Sequence, residues 1–250
     1  MRKLNNAIGF APLYNHKGHD ATGAFHPKSA RWAKIHGLAA TKVVRFDNNA
    51  APITRAAQVL SELAKAHSGV PFDSVAFFCH GLRSGIQAGF DVRNVRQLAA
   101  TIARLSTPDV VVPLFCCSTG GDRDGDSSND MIAGIGGDGG FADLLRDALA
   151  EAGAVRCDVF AHVNPGHTTT NPWVRQFTSE DTTAPAKGGH WYFHPDENKE
   201  LWTLWRARVT ADGKNDHFDL RYPYMTRQEV LDELRKPVAE KPLATRSKKS

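Results

Sequence analysis

The sequence predicts an α/β fold: a mostly parallel central sheet with helices on both faces, followed by a small C-terminal hairpin and helix. Three observations predict it. The segments DSVAFFC (Asp73–Cys79), DVVVPLFCC (Asp109–Cys117) and CDVFAHV (Cys157–Val163) are near-continuously apolar, as strands covered on both faces are. Stretches with helical periodicity separate them, so strand and helix alternate along the chain. Beyond His194 the pattern changes to Trp- and Val-bearing runs around a Gly-containing turn.

Taken in order, KVVRF (Lys42–Phe46) reads as a strand. PITRAAQVLSELAKAH (Pro52–His67) follows as an amphipathic helix, with Ile53, Ala56, Ala57, Leu60, Leu63 and Ala64 on one face and proline at its start. A buried strand from about Ser74 to Cys79 is stopped by His80 and Gly81, and SGIQAGF reads as a short extended excursion. NVRQLAATIARLS (Asn94–Ser106) is a second helix, and the second buried strand ends in Cys116-Cys117. A loop follows that holds eight glycines and five aspartates between Gly120 and Gly140, a composition of flexible, exposed chain. FADLLRDALAEAG (Phe141–Gly153) is a third helix closed by glycine, and CDVFAHV is the third buried strand. Near the C-terminus, LWTLWRARVT and HFDLRY flank ADGKND as an expected hairpin, and Thr226 with Glu229 fits a capping box opening a last helix. The expected organisation is a main α/β domain over 1–195, an appendage of hairpin and helix over 196–236, and a basic disordered tail over 237–250.

Composition narrows the function classes. With 41% hydrophobic and 23% charged residues over 250 positions, the chain reads as one sizeable globular domain. The stretch Lys236–Ser250 holds five Lys or Arg against one Glu, which accounts for the whole formal net charge of +4. The body is therefore near neutral, which argues against nucleic acid as a partner. The four cysteines, at 79, 116, 117 and 157, match no zinc spacing. A reduced, cytoplasmic protein is the expectation, with no secretory signal, no membrane partner and no membrane-spanning segment.

Chemistry is expected at the carboxyl ends of the strands, where open parallel sheets bind ligands. One strand ends in His80-Gly81 and the next in Cys116-Cys117-Ser118. Neighbouring strands lie about 4.8 Å apart, so such a His and Cys can approach one another. A thiol needs a base or a cationic neighbour to react at neutral pH. A glycine directly after the His lets backbone N–H groups, those of Gly81 and the cysteine, come close to a substrate oxyanion. Side chains alternate along a strand, so Phe115 and Cys117 share a side, which makes Phe115 a wall of a substrate cleft.

The combination FFCHG, helix, LFCCSTGG resembles the caspase-haemoglobinase fold of cysteine peptidases, and its Cys-Cys doublet followed by two residues and glycine is most similar to the metacaspase form. The resemblance spans roughly Lys42 to Phe193 and implies a caspase-like three-layer sandwich. It implies an endopeptidase acting on a protein or peptide substrate, with Cys117 as nucleophile and His80 as base. Pro165-Gly166, Trp173, Arg175 and Trp191 also resemble, in order though not in spacing, a caspase segment that lines the substrate pocket, which implies substrate-binding roles for Trp173 and Arg175. Phe115 stands where metacaspases carry an acidic residue, so a preference for basic substrates does not follow.

The loop aspartates Asp122, Asp124, Asp126 and Asp130 offer hard oxygen ligands of the kind Ca²⁺ takes, without EF-hand spacing. A mobile solvated loop is the simpler reading. Calcium enters as a cofactor only through the metacaspase resemblance, and no cofactor is otherwise required. The other histidines, His16, His19, His26, His36, His162, His167, His190 and His194, fit no metal spacing. Two competing readings remain: an inactive scaffold or binding module of the same fold, and a serine hydrolase using Ser118, which lacks the G-x-S-x-G elbow. Oligomeric state is open.

Overall fold

A computed structural model of the chain describes residues 1–14, 23–124, 133–166, 170–182, 188–210 and 217–237. In chain order its elements are β1 (Ala7–Pro12), α1 (Phe25–Ile35), β2 (Val43–Phe46), α2 (Pro52–Ala66), β3 (Phe72–Phe78), β4 (Gly81–Leu82), β5 (Gly85–Ile86), β6 (Phe90–Asp91), α3 (Val95–Leu105), β7 (Ser106–Phe115) and β8 (Ile135–Gly136). Then come α4 (Phe141–Glu151), β9 (Asp158–His162), β10 (Val174–Thr178), β11 (Gly189–Trp191), α5 (Lys199–Val209), α6 (Phe218–Arg221) and α7 (Arg227–Arg235).

Eight strands form one sheet in the order β2-β1-β3-β7-β9-β10-β11-β8. The run from β2 to β9 is parallel, and β10, β11 and β8 close one edge antiparallel. The three apolar segments therefore lie side by side as β3, β7 and β9, all pointing the same way. A second, three-stranded antiparallel sheet, β4-β5-β6, follows His80 directly.

Alternation along the strands divides the core in two. Ile8, Phe10, Phe77, Val112, Leu114 and Val159 pack with α2, α3 and α4 on one face. Ala11, Ala76, Phe78, Val111, Phe115 and Phe160 pack with α1, α5 and α7 on the other. Both faces of a mostly parallel sheet are thus covered by helices, which explains why its strands are apolar at nearly every position.

The expected C-terminal hairpin does not form among the described residues. LWTLWRARV is the helix α5, opened by Asn198, whose side chain accepts the Leu201 N–H. Trp202, Trp205 and Val209 fall on one turn-spaced stripe and bury themselves in the second core. Tryptophan and valine favour strands in isolation, but the helical spacing of the apolar positions decides here. The FDLR portion of HFDLRY is the short helix α6, and the expected turn at 211–216 is outside the described residues. Helix α7 carries the expected capping box between Thr226 and Glu229. The tail from 238 onward is outside the described residues. No helix among the described residues is long and apolar enough to cross a membrane.

Candidate active site

Strand register builds the site. Phe78 and Phe115 are partners in the parallel pair β3–β7, and their rings stack at 4.7 Å with an 18° tilt. One residue further, Cys79 and Cys116 turn to the opposite face, where their sulfurs lie 3.6 Å apart, fully buried. One residue further again, the His80 ring returns to the Phe78–Phe115 side. The His80 ring meets Phe25 edge-on at 5.0 Å, and Phe25 belongs to the same core as Phe78 and Phe115.

Gly81 locks the two strand ends together. A β-carbon there would meet the Cys117 carbonyl oxygen and Thr119 Cγ2 at 2.7 Å and Cys116 Cβ at 2.8 Å. The turn after Cys117 is equally constrained. Ser118 adopts a left-handed conformation with φ of 58°, unusual for a residue with a side chain. The Thr119 hydroxyl donates to the Cys116 carbonyl at 3.3 Å, Gly120 N–H donates to the His162 carbonyl at 2.8 Å, and Ala142 N–H donates to the Thr119 carbonyl at 3.1 Å. Strand β9 and helix α4 thereby fix where the turn presents Cys117.

The four cysteines are free thiols, and Cys117 alone is partly exposed. Its thiol donates to the Gly166 carbonyl at 3.3 Å. Burial pushes the Cys117 thiol above the ordinary cysteine value, so the resting group is the thiol rather than the thiolate. Burial raises Cys116 further, and Cys157 to about 12.

The other expected site residues are placed as follows. Phe115 is 2% exposed, its ring stacked on Phe78 and 6.5 Å from the ring of His162, inside the second core. Trp173 is half-buried in an aromatic group with Trp202 at 4.4 Å, Trp191 at 5.7 Å and His194 at 5.9 Å. Its carbonyl accepts Val163 N–H at 3.0 Å, which places it beside the segment that reaches Gly166. Arg175 is fully buried, its guanidinium 4.5 Å from the Trp191 ring and 3.9 Å from Asp122, where it ties β10 to β11 and the Gly/Asp loop. The structure therefore brings the backbone of Gly81, the residue after His80, against that of Cys117. Trp173 stands to one side, and Arg175 lies inside the sheet edge.

Of the aspartates considered for calcium, Asp122 accepts the Gly137 N–H and Asp124 is exposed, while Asp126 and Asp130 lie outside the described residues. Among the described residues, no group of three or more His, Cys, Asp or Glu is placed to hold a metal.

Three contacts of the site carry no signal in the sequence, although Gly166 itself belongs to the Pro165-Gly166 pair that resembles a pocket-lining segment. Phe25 supports the His80 ring, Gly166 accepts from Cys117, and Gln87 brackets His80, its side-chain oxygen facing His80 N–H at 3.4 Å and its own N–H donating to the His80 carbonyl at 2.8 Å. Phe25 and Gly166 are distant in sequence from their partners, and Gln87 depends on the turn geometry of β4–β5. No family model, no curated protein and no solved structure matches this chain.

Proposed function

We propose that the protein is a cysteine endopeptidase with a Cys117–His80 dyad, of the caspase and metacaspase kind its motifs resemble. The observation that carries this reading is the close approach of the β3 and β7 ends, with Gly81 in backbone contact with Cys117. In the proposed reaction, substrate displaces the Gly166 carbonyl from the thiol, and His80 takes the Cys117 proton as sulfur attacks the scissile carbonyl. The N–H groups of Gly81 and Cys117 hold the oxyanion. His80 then protonates the leaving amine, and water hydrolyses the thioester. Burial favours the thiol form of Cys117, which supports a general-base step over a preformed thiolate.

A second reading, a non-catalytic binding module, draws on the same Cys117–Gly166 contact, which leaves the thiol engaged and protonated. Labelling with a peptidyl electrophile, combined with peptide turnover, separates the two. One label per chain, lost in Cys117→Ala, and turnover mostly lost in His80→Ala, support the peptidase. Full activity in both Cys117→Ala and Cys116→Ala would remove it. Failure of the folded wild-type chain to label or turn over any peptide favours the binding module.

A further inference from the structure

Beside His80 lies a cleft of about 460 Å³ that the dyad itself does not fill, within the size range of small-ligand sites. Its walls are His80 and Gly81, the β4–β6 meander and the first turn of α2, and Cys117 is not among them. We infer that this cleft receives the substrate residue on the leaving-group side of the scissile bond, and that Arg55 selects a carboxylate side chain there. The inference rests on the peptidase reading for its direction.

The direction follows from the chemistry. The acyl half of the substrate becomes bonded to Cys117, whereas the amine half departs with a proton from His80. Chain beyond that amine nitrogen runs over the His80 side, where the cleft opens. Charge argues for the carboxylate. Arg55 projects from the first turn of α2, Nη1 donating to the Asn48 carbonyl at 3.2 Å. Its Nε is shielded from solvent and has no hydrogen-bond partner among the described residues. Asp91, the acid in the wall, is already bound by Arg93, through Nε at 3.0 Å and backbone N–H at 2.8 Å. The positive end of α2 adds to the same side. Of the apolar lining, Leu82 is exposed and offers surface for the methylenes of an acidic side chain, while Ile86 and Phe90 are buried. The cleft is preformed. Gly89, at φ of 94°, packs so closely on α2 that a β-carbon would stand 2.8 Å from Ala56 N.

The test compares peptides identical except for Glu, Ala or Lys immediately after the scissile bond. Wild-type protein is expected to favour Glu over Lys by about tenfold in kcat/KM, the size of one charge-assisted hydrogen bond. Arg55→Leu should bring the two within about twofold and lower the Glu peptide more than the Ala peptide, Arg55→Lys should restore part of the preference, and Arg55→Glu should invert it. A merely structural Arg55 would lower all three rates together. In parallel, fluorescence anisotropy on Cys117→Ala protein measures peptides with a free N-terminal Glu or Lys, the form of the leaving fragment. Glu-first peptides should bind more tightly, and Arg55→Leu should abolish the difference. Equal handling of Glu and Lys, or a preference that survives Arg55→Leu, overturns the inference. Arg55-dependent binding of Glu-first peptides without turnover of any peptide overturns the peptidase reading and leaves the carboxylate site standing.

Discussion

A β-carbon placed on Gly81 would lie 2.7 Å from the carbonyl oxygen of Cys117. The backbones that carry the proposed base and nucleophile are thus in contact, with no space for a side chain between them. Gly81→Ala must push these two strand ends apart. The expected cost is about 1–3 kcal/mol of stability, the range for overpacking a well-filled interior. Labelling of Cys117 should fall well beyond what that loss explains, since the displacement lies between the reacting groups. Thermal melts beside labelling rates check this, and an unaffected labelling rate would show that the contact is only structural.

Cys116 and Cys117 are neighbours with opposite environments. Cys116 is fully buried beside Cys79, whereas Cys117 is partly exposed. Cys116→Ala is expected to retain electrophile labelling and to lose on the order of 1–2 kcal/mol through the missing buried sulfur. If Cys116→Ala instead abolishes labelling in a folded protein, the proposed nucleophile is off by one residue.

Burial sets the direction of the pH response at Cys117. The thiolate is the disfavoured form, so alkylation by iodoacetamide should rise with pH and reach its midpoint above that of an ordinary free cysteine. Cys79, Cys116 and Cys157 are buried and should contribute little to the signal. Mass spectrometry of the 117-bearing peptide across a pH series reads the midpoint. A midpoint below the ordinary value would mean a thiolate-stabilising neighbour and an ion-pair mechanism.

Much of this arrangement is written in local pattern. The apolar runs that became β3, β7 and β9 announce double burial, and their order with the intervening helices places His80 and Cys117 at the same end of one sheet. What escaped the pattern has physical causes. Strand β1 is six residues long, AIGFAP, with a glycine inside and a proline at its end, yet it is buried throughout between β2 and β3. Its place in the sheet is decided by its neighbours, not by its own propensity. Helix α1 lacks a capping side chain and acidic residues in its first turn, so nothing marks its start. Arg175 reads as a surface charge or a substrate contact, but the Trp191 ring and Asp122 hold it inside. Trp202 and Trp205 suggested a strand because of residue type, while their spacing carried the helix. Contacts such as Phe25–His80 and Cys117–Gly166 join residues far apart in the chain and become visible only once the sheet order is known.

The C-terminal helices are part of the same core as the sheet, and a buried ion pair shows it. Lys28 Nζ on α1 lies 3.2 Å from Asp219 on α6, with their side chains 10% and 4% exposed. Around them, Trp32, Trp205, Phe218 and Tyr222 belong to the apolar cluster that covers the Phe78–Phe115 face. Removing one charge takes from the other, in a low-dielectric setting, the ion-pair partner it has here, and breaking such a buried pair typically costs about 3–5 kcal/mol. Asp219→Ala is therefore expected to lower stability by that order, read from chemical denaturation. Replacing both partners, Lys28→Met with Asp219→Leu, removes the desolvation penalty along with the attraction, and should recover most of the loss. If Asp219→Ala instead melts only a minor transition and leaves the main one in place, residues 196–236 fold apart from the sheet. A single shifted transition shows that they complete it, and that Phe25, which supports His80 from α1, owes its position in part to the C-terminal helices.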